Sequence, residues 1–140
     1  MNVGFIGVGK LGMACAETMA SRHNVVGYDI YPVKSDKITI ASTLQEAVEG
    51  KELIFIAVQT PHDPVYGGDQ PITHLRNKDF DYTIVNDVLR QVNEFATPNQ
   101  LVVLISTVLP GTTRRELRTN ITNARSVSYT HLTLPTILRV

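Results

Sequence analysis

Six residues near the start, Gly7-Val8-Gly9-Lys10-Leu11-Gly12, restrict what this chain can fold into more than any other feature. Glycines spaced G-x-G-x-x-G are common in turns, and the pattern alone is weak. Here it directly follows the apolar run Asn2-Val3-Gly4-Phe5-Ile6, which reads as a buried strand. It also opens a stretch in which Leu11, Cys15 and Met19 recur at i, i+4 and i+8 with Ala14 and Ala16 between them, predicting a helix to about Arg22. In that setting Gly7 permits the tight turn, Gly9 carries no Cβ to hold a pyrophosphate off the backbone, and Gly12 lets helix and strand pack closely. Free N–H groups and the positive dipole end of the helix then favour an anion. A strand–turn–helix corner with no ligand is the plainer reading, and the residues after the helix tell against it.

Those residues, Val25-Val26-Gly27-Tyr28-Asp29, form a second apolar strand that ends on a carboxylate. Strand, helix and strand in close succession imply a right-handed crossover with parallel strands. Asp29 lies 22 residues beyond Gly7, near the offset of about 20 at which an acid accepts from ribose hydroxyls. A carboxylate there repels a 2′-phosphate, so NAD is expected rather than NADP. Lys34 either reaches the adenosine ribose or a phosphate, or stands as a solvated surface lysine.

The alternation continues. Lys37–Ala41 reads as a short strand, and Ser42 or Thr43 caps a helix through about Val48, because Thr43-Leu44-Gln45-Glu46 has capping-box spacing. Gly50 stops it. Leu53–Val58 is apolar throughout and reads as a strand covered on both faces. Tyr82, Val85, Leu89, Val92 and Ala96 mark an amphipathic helix introduced by Asp79 or Asp81 and halted before Pro98. Leu101–Ile105 is another apolar strand, and Thr113-Arg114-Arg115-Glu116 predicts a second capping box for a helix to about Ile121. Strands alternating with helices give an α/β fold, a Rossmann-type doubly wound parallel sheet in a single domain.

Ligands of such sheets collect outside the carboxyl ends of the strands. Two further segments fall there, Gln59-Thr60-Pro61 and Ser106 to Thr113, each offering hydroxyls on a turn stiffened by proline. Ordinary turn and cap chemistry accounts for Thr112 or Thr113 better than for Thr60 and Thr107. The connection from Thr60 to Lys78 exceeds the ~12–15 residues usual for unstructured loops, and its prolines and glycines suggest a shaped flap.

Composition narrows the partners. Thirteen basic residues balance thirteen acidic ones, without the basic excess of a nucleic-acid binder. No apolar run approaches the ~20 residues of a membrane span, and the start lacks a signal-peptide pattern. The lone Cys15 fits a reducing compartment and a core position rather than a nucleophile. These features predict a cytoplasmic domain. His62, Asp63, His74 and Asp79 match no compact ligand spacing, so no metal is expected.

Together Gly7-Val8-Gly9-Lys10-Leu11-Gly12, Asp29 with Lys34, Ile56-Ala57-Val58-Gln59-Thr60-Pro61 and Ser106-Thr107-Val108-Leu109-Pro110-Gly111-Thr112-Thr113-Arg114 resemble the N-terminal domain of the UDP-glucose/GDP-mannose dehydrogenase family, over residues 2–125. The last segment is the most specific. The resemblance implies that the glycine loop binds the NAD pyrophosphate, that Asp29 and Lys34 bind the adenosine ribose, and that Thr60 and Thr107 line the cofactor near the nicotinamide. It implies an enzyme that oxidises the primary alcohol of a nucleotide sugar, such as UDP-glucose, to a carboxylate in two NAD-dependent steps through a thiohemiacetal on a cysteine, in polysaccharide biosynthesis. Cys15 does not match that cysteine, which belongs to downstream segments, as does the helix of the family's homodimer. Little or no turnover by these residues alone is therefore expected. A β-hydroxyacid dehydrogenase domain and a non-catalytic NAD-sensing module are the alternatives. Only a few residues separate Lys34 from the next strand, fewer than family members often carry. Residues 126–140, with no acid and weak apolar alternation, read either as a final strand with a loose end or as a tail of different, non-native origin, which resequencing the gene tests.

Overall fold

The computed structural model describes residues 1–66, 71 and 73–128. Six strands among them form one sheet: β1 (Asn2–Ile6), β2 (Asn24–Tyr28), β3 (Thr39–Ile40), β4 (Leu53–Ile56), β5 (Leu101–Leu104) and β6 (Arg125–Ser128). Their order is β3-β2-β1-β4-β5-β6, and every neighbouring pair is parallel. The chain builds outward from β1 in one direction, then returns to β1's other side and builds outward again. The order therefore reverses between β1 and β4, the place where doubly wound sheets open a crevice. The boundary expected after residue 125 falls inside β6, and residues 129–140 lie outside the described residues.

Helices α1 (Lys10–Ala20), α2 (Leu44–Val48) and α3 (Thr83–Phe95) make the crossovers. Side chains of a strand alternate between faces, and the core divides accordingly. Val3 and Phe5 of β1 pack with Ala16, Val25 and Ile38 in the layer beneath α1, where Phe5 and Phe55 stack with ring centroids 4.7 Å apart. Ile6, Ile54, Ile56, Val102 and Leu104 face the other way, into the larger core under α2 and α3. The stripe expected on α3 lies in that core complete: Tyr82, Val85, Leu89, Val92 and Ala96 are all buried. A Cβ on Gly4 would run into the Ala47 carbonyl, so this glycine lets α2 lie directly on β1.

Local signals held where they rest on short-range chemistry. Thr43 Oγ1 accepts from the Glu46 N–H at 3.3 Å, and the Glu46 carboxylate accepts from the Ser42 N–H at 2.8 Å. Gly50, at φ +67, ends the segment, and Asp81 accepts from the first-turn N–H of Thr83. Two expectations are corrected. Leu11 is 63% exposed rather than part of the helix's inner stripe, because the buried face of α1 runs through Gly12 and Ala16. Between β5 and β6 there is no capped α-helix. Thr113–Leu117 forms a π turn and Arg118–Asn120 a 3-10 turn. Thr112 is already helical at φ −58, so no hydroxyl swings over the first N–H groups as an extended cap residue does. Glu116 pairs with Arg115 instead.

Candidate functional site

The glycine turn stands at the reversal point. Gly7 has φ +91, and a Cβ on it would lie 2.7 Å from the Ala57 carbonyl oxygen beyond β4. A Cβ on Gly12 would strike the carbonyl of Gly7 itself. Gly9 differs: a Cβ there would meet nothing within 4 Å, so its missing side chain leaves space rather than permitting packing. The N-terminus of α1 has neither a side-chain cap nor an acid in its first turn. The Met13 N–H donates to the Gly9 carbonyl at 2.8 Å, leaving the preceding N–H groups of Lys10, Leu11 and Gly12 outside the helical ladder.

Two cavities meet at this turn. The first, about 260 Å³, lies between the end of β2 and α3. Asp29, Ile30 and Tyr31 form one wall, and Ile84, Val88 and Gln91 the other. The second, about 430 Å³, is lined by Lys10, Leu11, Gly12, Thr60, Ser106 and Thr107. Gly9, Ala57, Val58 and Gln59 border both. The Ser106 hydroxyl donates to the Val58 carbonyl at 2.7 Å, fastening the loop after β5 to the loop after β4.

Of the residues singled out in the sequence, Gly7, Gly9, Lys10, Leu11, Gly12, Asp29, Thr60 and Thr107 all border one cavity or the other. Val8 does not. Its side chain is buried beneath α1, and its N–H donates to Asp29 Oδ2 at 2.9 Å. Lys34 is exposed and borders neither cavity. Asp29 Oδ1 accepts from the Tyr31 N–H at 3.0 Å. A carboxylate offers about four acceptor sites, so roughly two remain for hydroxyl donors.

Cys15 is half-buried against the α1-side core. Among the described residues, no three His, Cys, Asp or Glu side chains converge on one point. Asp63 pairs with Lys78 at 2.7 Å, and the Lys78 hydrogen bond holds its carboxyl below the usual range. Within the long loop, Pro64–Tyr66 forms a 3-10 turn and the Tyr66 hydroxyl donates to the Arg76 carbonyl at 2.7 Å, whereas Gly67 and Gly68 lie outside the described residues.

The first cavity's apolar walls were not legible as a site. Ile84 and Val88 are apolar residues off the buried stripe of α3, four apart on its flank, and that mismatch was the available signal. No comparable signal marked Tyr31, which is 69% exposed.

A parallel sheet of this order, with a glycine turn at its reversal point and an acid at the next strand's end, defines a dinucleotide-binding α/β domain of the Rossmann type. The chain belongs to the UDP-glucose/GDP-mannose dehydrogenase family: the model of that family's NAD binding domain matches residues 32–136. NAD is thus the cofactor of this domain. The match begins beyond the glycine turn, whose assignment rests on the fold. Family membership favours the first of the three readings over the β-hydroxyacid one.

Solved structures agree in fold. UDP-D-ManNAc dehydrogenase from Pyrococcus horikoshii aligns at TM-score 0.69 and 22% identity, over 94% of this chain and 36% of its own. GDP-mannose dehydrogenase from Pseudomonas aeruginosa aligns at TM-score 0.72 and 20% identity, over 93% and 36%. UDP-glucose dehydrogenase from Pyrobaculum islandicum aligns at TM-score 0.66 and 23% identity, over 92% and 35%. This chain spans about a third of the length of each. The comparison with curated proteins gives no match. No helix among the described residues is long and apolar enough to cross a membrane.

Proposed function

We propose that this chain is the cofactor-holding part of a nucleotide-sugar 6-dehydrogenase of the UDP-glucose dehydrogenase type, with NAD lying across both cavities. The observation that carries this reading is that the two cavities share the glycine turn, with Asp29 bordering the first and Thr107 the second. The first cavity takes the adenosine half. Its apolar walls, Ile30 and Tyr31 against Ile84 and Val88, suit a flat base, and the free acceptor sites of Asp29 suit ribose hydroxyls. The open space at Gly9 and the uncapped start of α1 suit the pyrophosphate. Thr60 and Thr107 then stand beside the nicotinamide half in the second cavity.

NAD supplies the hydride acceptor for oxidation of the sugar alcohol. This chain's residues bind and orient it; the only cysteine, Cys15, borders neither cavity. The chain alone therefore holds cofactor without completing the oxidation. Lys34, exposed and outside both cavities, fits the surface-lysine reading better than a contact with the ribose.

Calorimetric titration with NAD and NADP tests the reading. Binding of NAD in preference to NADP, without NADH production from UDP-glucose, is the expected result. Equal affinity for NADP removes the role of Asp29, and robust turnover removes the division of labour.

A further inference from the structure

Tyr82 and Asp79 border neither cavity, yet they hold the loop that carries Thr107. The Tyr82 hydroxyl, 5% exposed as part of its residue, is engaged on both sides. It donates to Asp79 Oδ1 and accepts from the Leu109 N–H at 3.0 Å. Arg115 donates at 3.3 Å to the other Asp79 oxygen and at 3.3 Å to Thr112 Oγ1, in a threonine that is fully buried. One acid–phenol pair therefore ties down the segment after β5 at two places, Leu109 and Arg115. Ser106 anchors the same segment from its other end. Between these ties Thr107 stands exposed at the second cavity, and among the described residues its hydroxyl has no hydrogen-bond partner.

We infer that Tyr82 and Asp79 are positioning residues for the nicotinamide end of the site: through the Leu109 N–H they set where Thr107 stands beside the second cavity. This rests on the reading that the second cavity takes the nicotinamide half of NAD. The arrangement uses one hydrogen in each bond, so the phenol must stay protonated to donate to Asp79 while accepting from Leu109. Burial, reinforced by the Asp79 hydrogen bond, pushes the Tyr82 phenol up and keeps it so. The apolar ring is part of the α3 core, so removing the hydroxyl alone frees the loop without opening a cavity.

The test separates the two ends of the site in the full 140-residue chain. ADP-ribose reports the first cavity and the glycine turn; the fluorescence of bound NADH at saturation reports the surroundings of its nicotinamide. Tyr82→Phe is expected to leave the Kd for ADP-ribose within about twofold and to shift the emission of saturated NADH toward that of free NADH. Asp79→Asn, which weakens the Arg115 tie, is expected to shift it in the same direction and serves if Tyr82→Phe fails to fold. Emission identical to wild type in the folded variants overturns the inference, as does an equal loss of ADP-ribose binding, which marks a general structural role. A wild-type chain that binds ADP-ribose but leaves NADH emission unchanged refutes the second-cavity reading itself, a result visible without any variant.

Discussion

The N–H of Val8, inside the glycine turn, donates over 2.9 Å to the carboxylate of Asp29 at the end of the neighbouring strand, 21 residues on. The acid proposed to accept from the ribose is therefore also the clamp that fixes the turn, and its second oxygen holds the Tyr31 N–H. Replacing Asp29 with Ala removes acceptors from two part-buried or exposed amides and the hydroxyl contacts together. We expect a stability loss of about 1–2 kcal/mol, NAD binding weakened by roughly tenfold, and a smaller preference for NAD over NADP. Thermal denaturation measures the first effect and calorimetry the other two; retained NAD preference in the variant would remove Asp29 from cofactor choice.

Gly9 and Gly12 separate space for a ligand from space for the fold. Gly12→Ala drives a methyl group into the Gly7 carbonyl and is expected to cost about 1–3 kcal/mol. Gly9→Ala meets no protein atom, so its cost is limited to the weaker cap, about 1 kcal/mol or less, while NAD affinity falls. If Gly9→Ala binds NAD as wild type does, the phosphates lie elsewhere.

Tyr82 predicts an alkaline limit. Burial, then the Asp79 hydrogen bond, raises its phenol above the ordinary value of 10.0. The folded state therefore retains a proton that the unfolded chain releases. The resulting stabilisation is complete below pH 10.0 and declines as pH rises from there through the raised folded value. Spectrophotometric titration should find one tyrosine ionising after the others, and Tyr82→Phe should abolish that late step. A late step that persists in the variant belongs to another tyrosine.

Gln100 is a polar residue only 4% exposed. Its Nε2 donates to the carbonyls of Val48 and Lys51, each at 2.7 Å, and its Oε1 accepts from the Thr97 N–H at 2.7 Å. It thereby joins the end of α2 to the start of β5. Gln100→Ala strands these groups and is expected to destabilise the chain by about 3 kcal/mol, with cofactor affinity in the remaining folded protein unchanged. A loss below about 0.5 kcal/mol would mean that water replaces the amide.

Periodic and contiguous patterns were the legible part. The α3 stripe from Tyr82 to Ala96, the Thr43 cap, the glycine turn and the apolar β4 and β5 each follow from neighbours within a few positions, where helix and strand geometry leave little choice. The same short-range logic misread Thr113-Arg114-Arg115-Glu116, because Arg115 reaches both Glu116 and Asp79, the latter 36 residues away. Leu11 was misplaced for a related reason: which side of α1 is inner depends on how closely Gly12 brings the helix to Gly7, not on hydrophobicity.

Residue order alone was enough to require a parallel α/β sheet, a glycine turn ahead of the first helix and an acid at the second strand's end, since backbone sterics and periodic burial act locally along the chain. Folding in three dimensions selected the rest: Tyr31 and Ile84 lining one cavity, Gln100 bonded to the end of α2, and the Thr107 loop held by a phenol 27 residues from its partner Leu109. Such pairings depend on strand order and crossover packing, which bring together side chains that carry no mark of one another in the sequence.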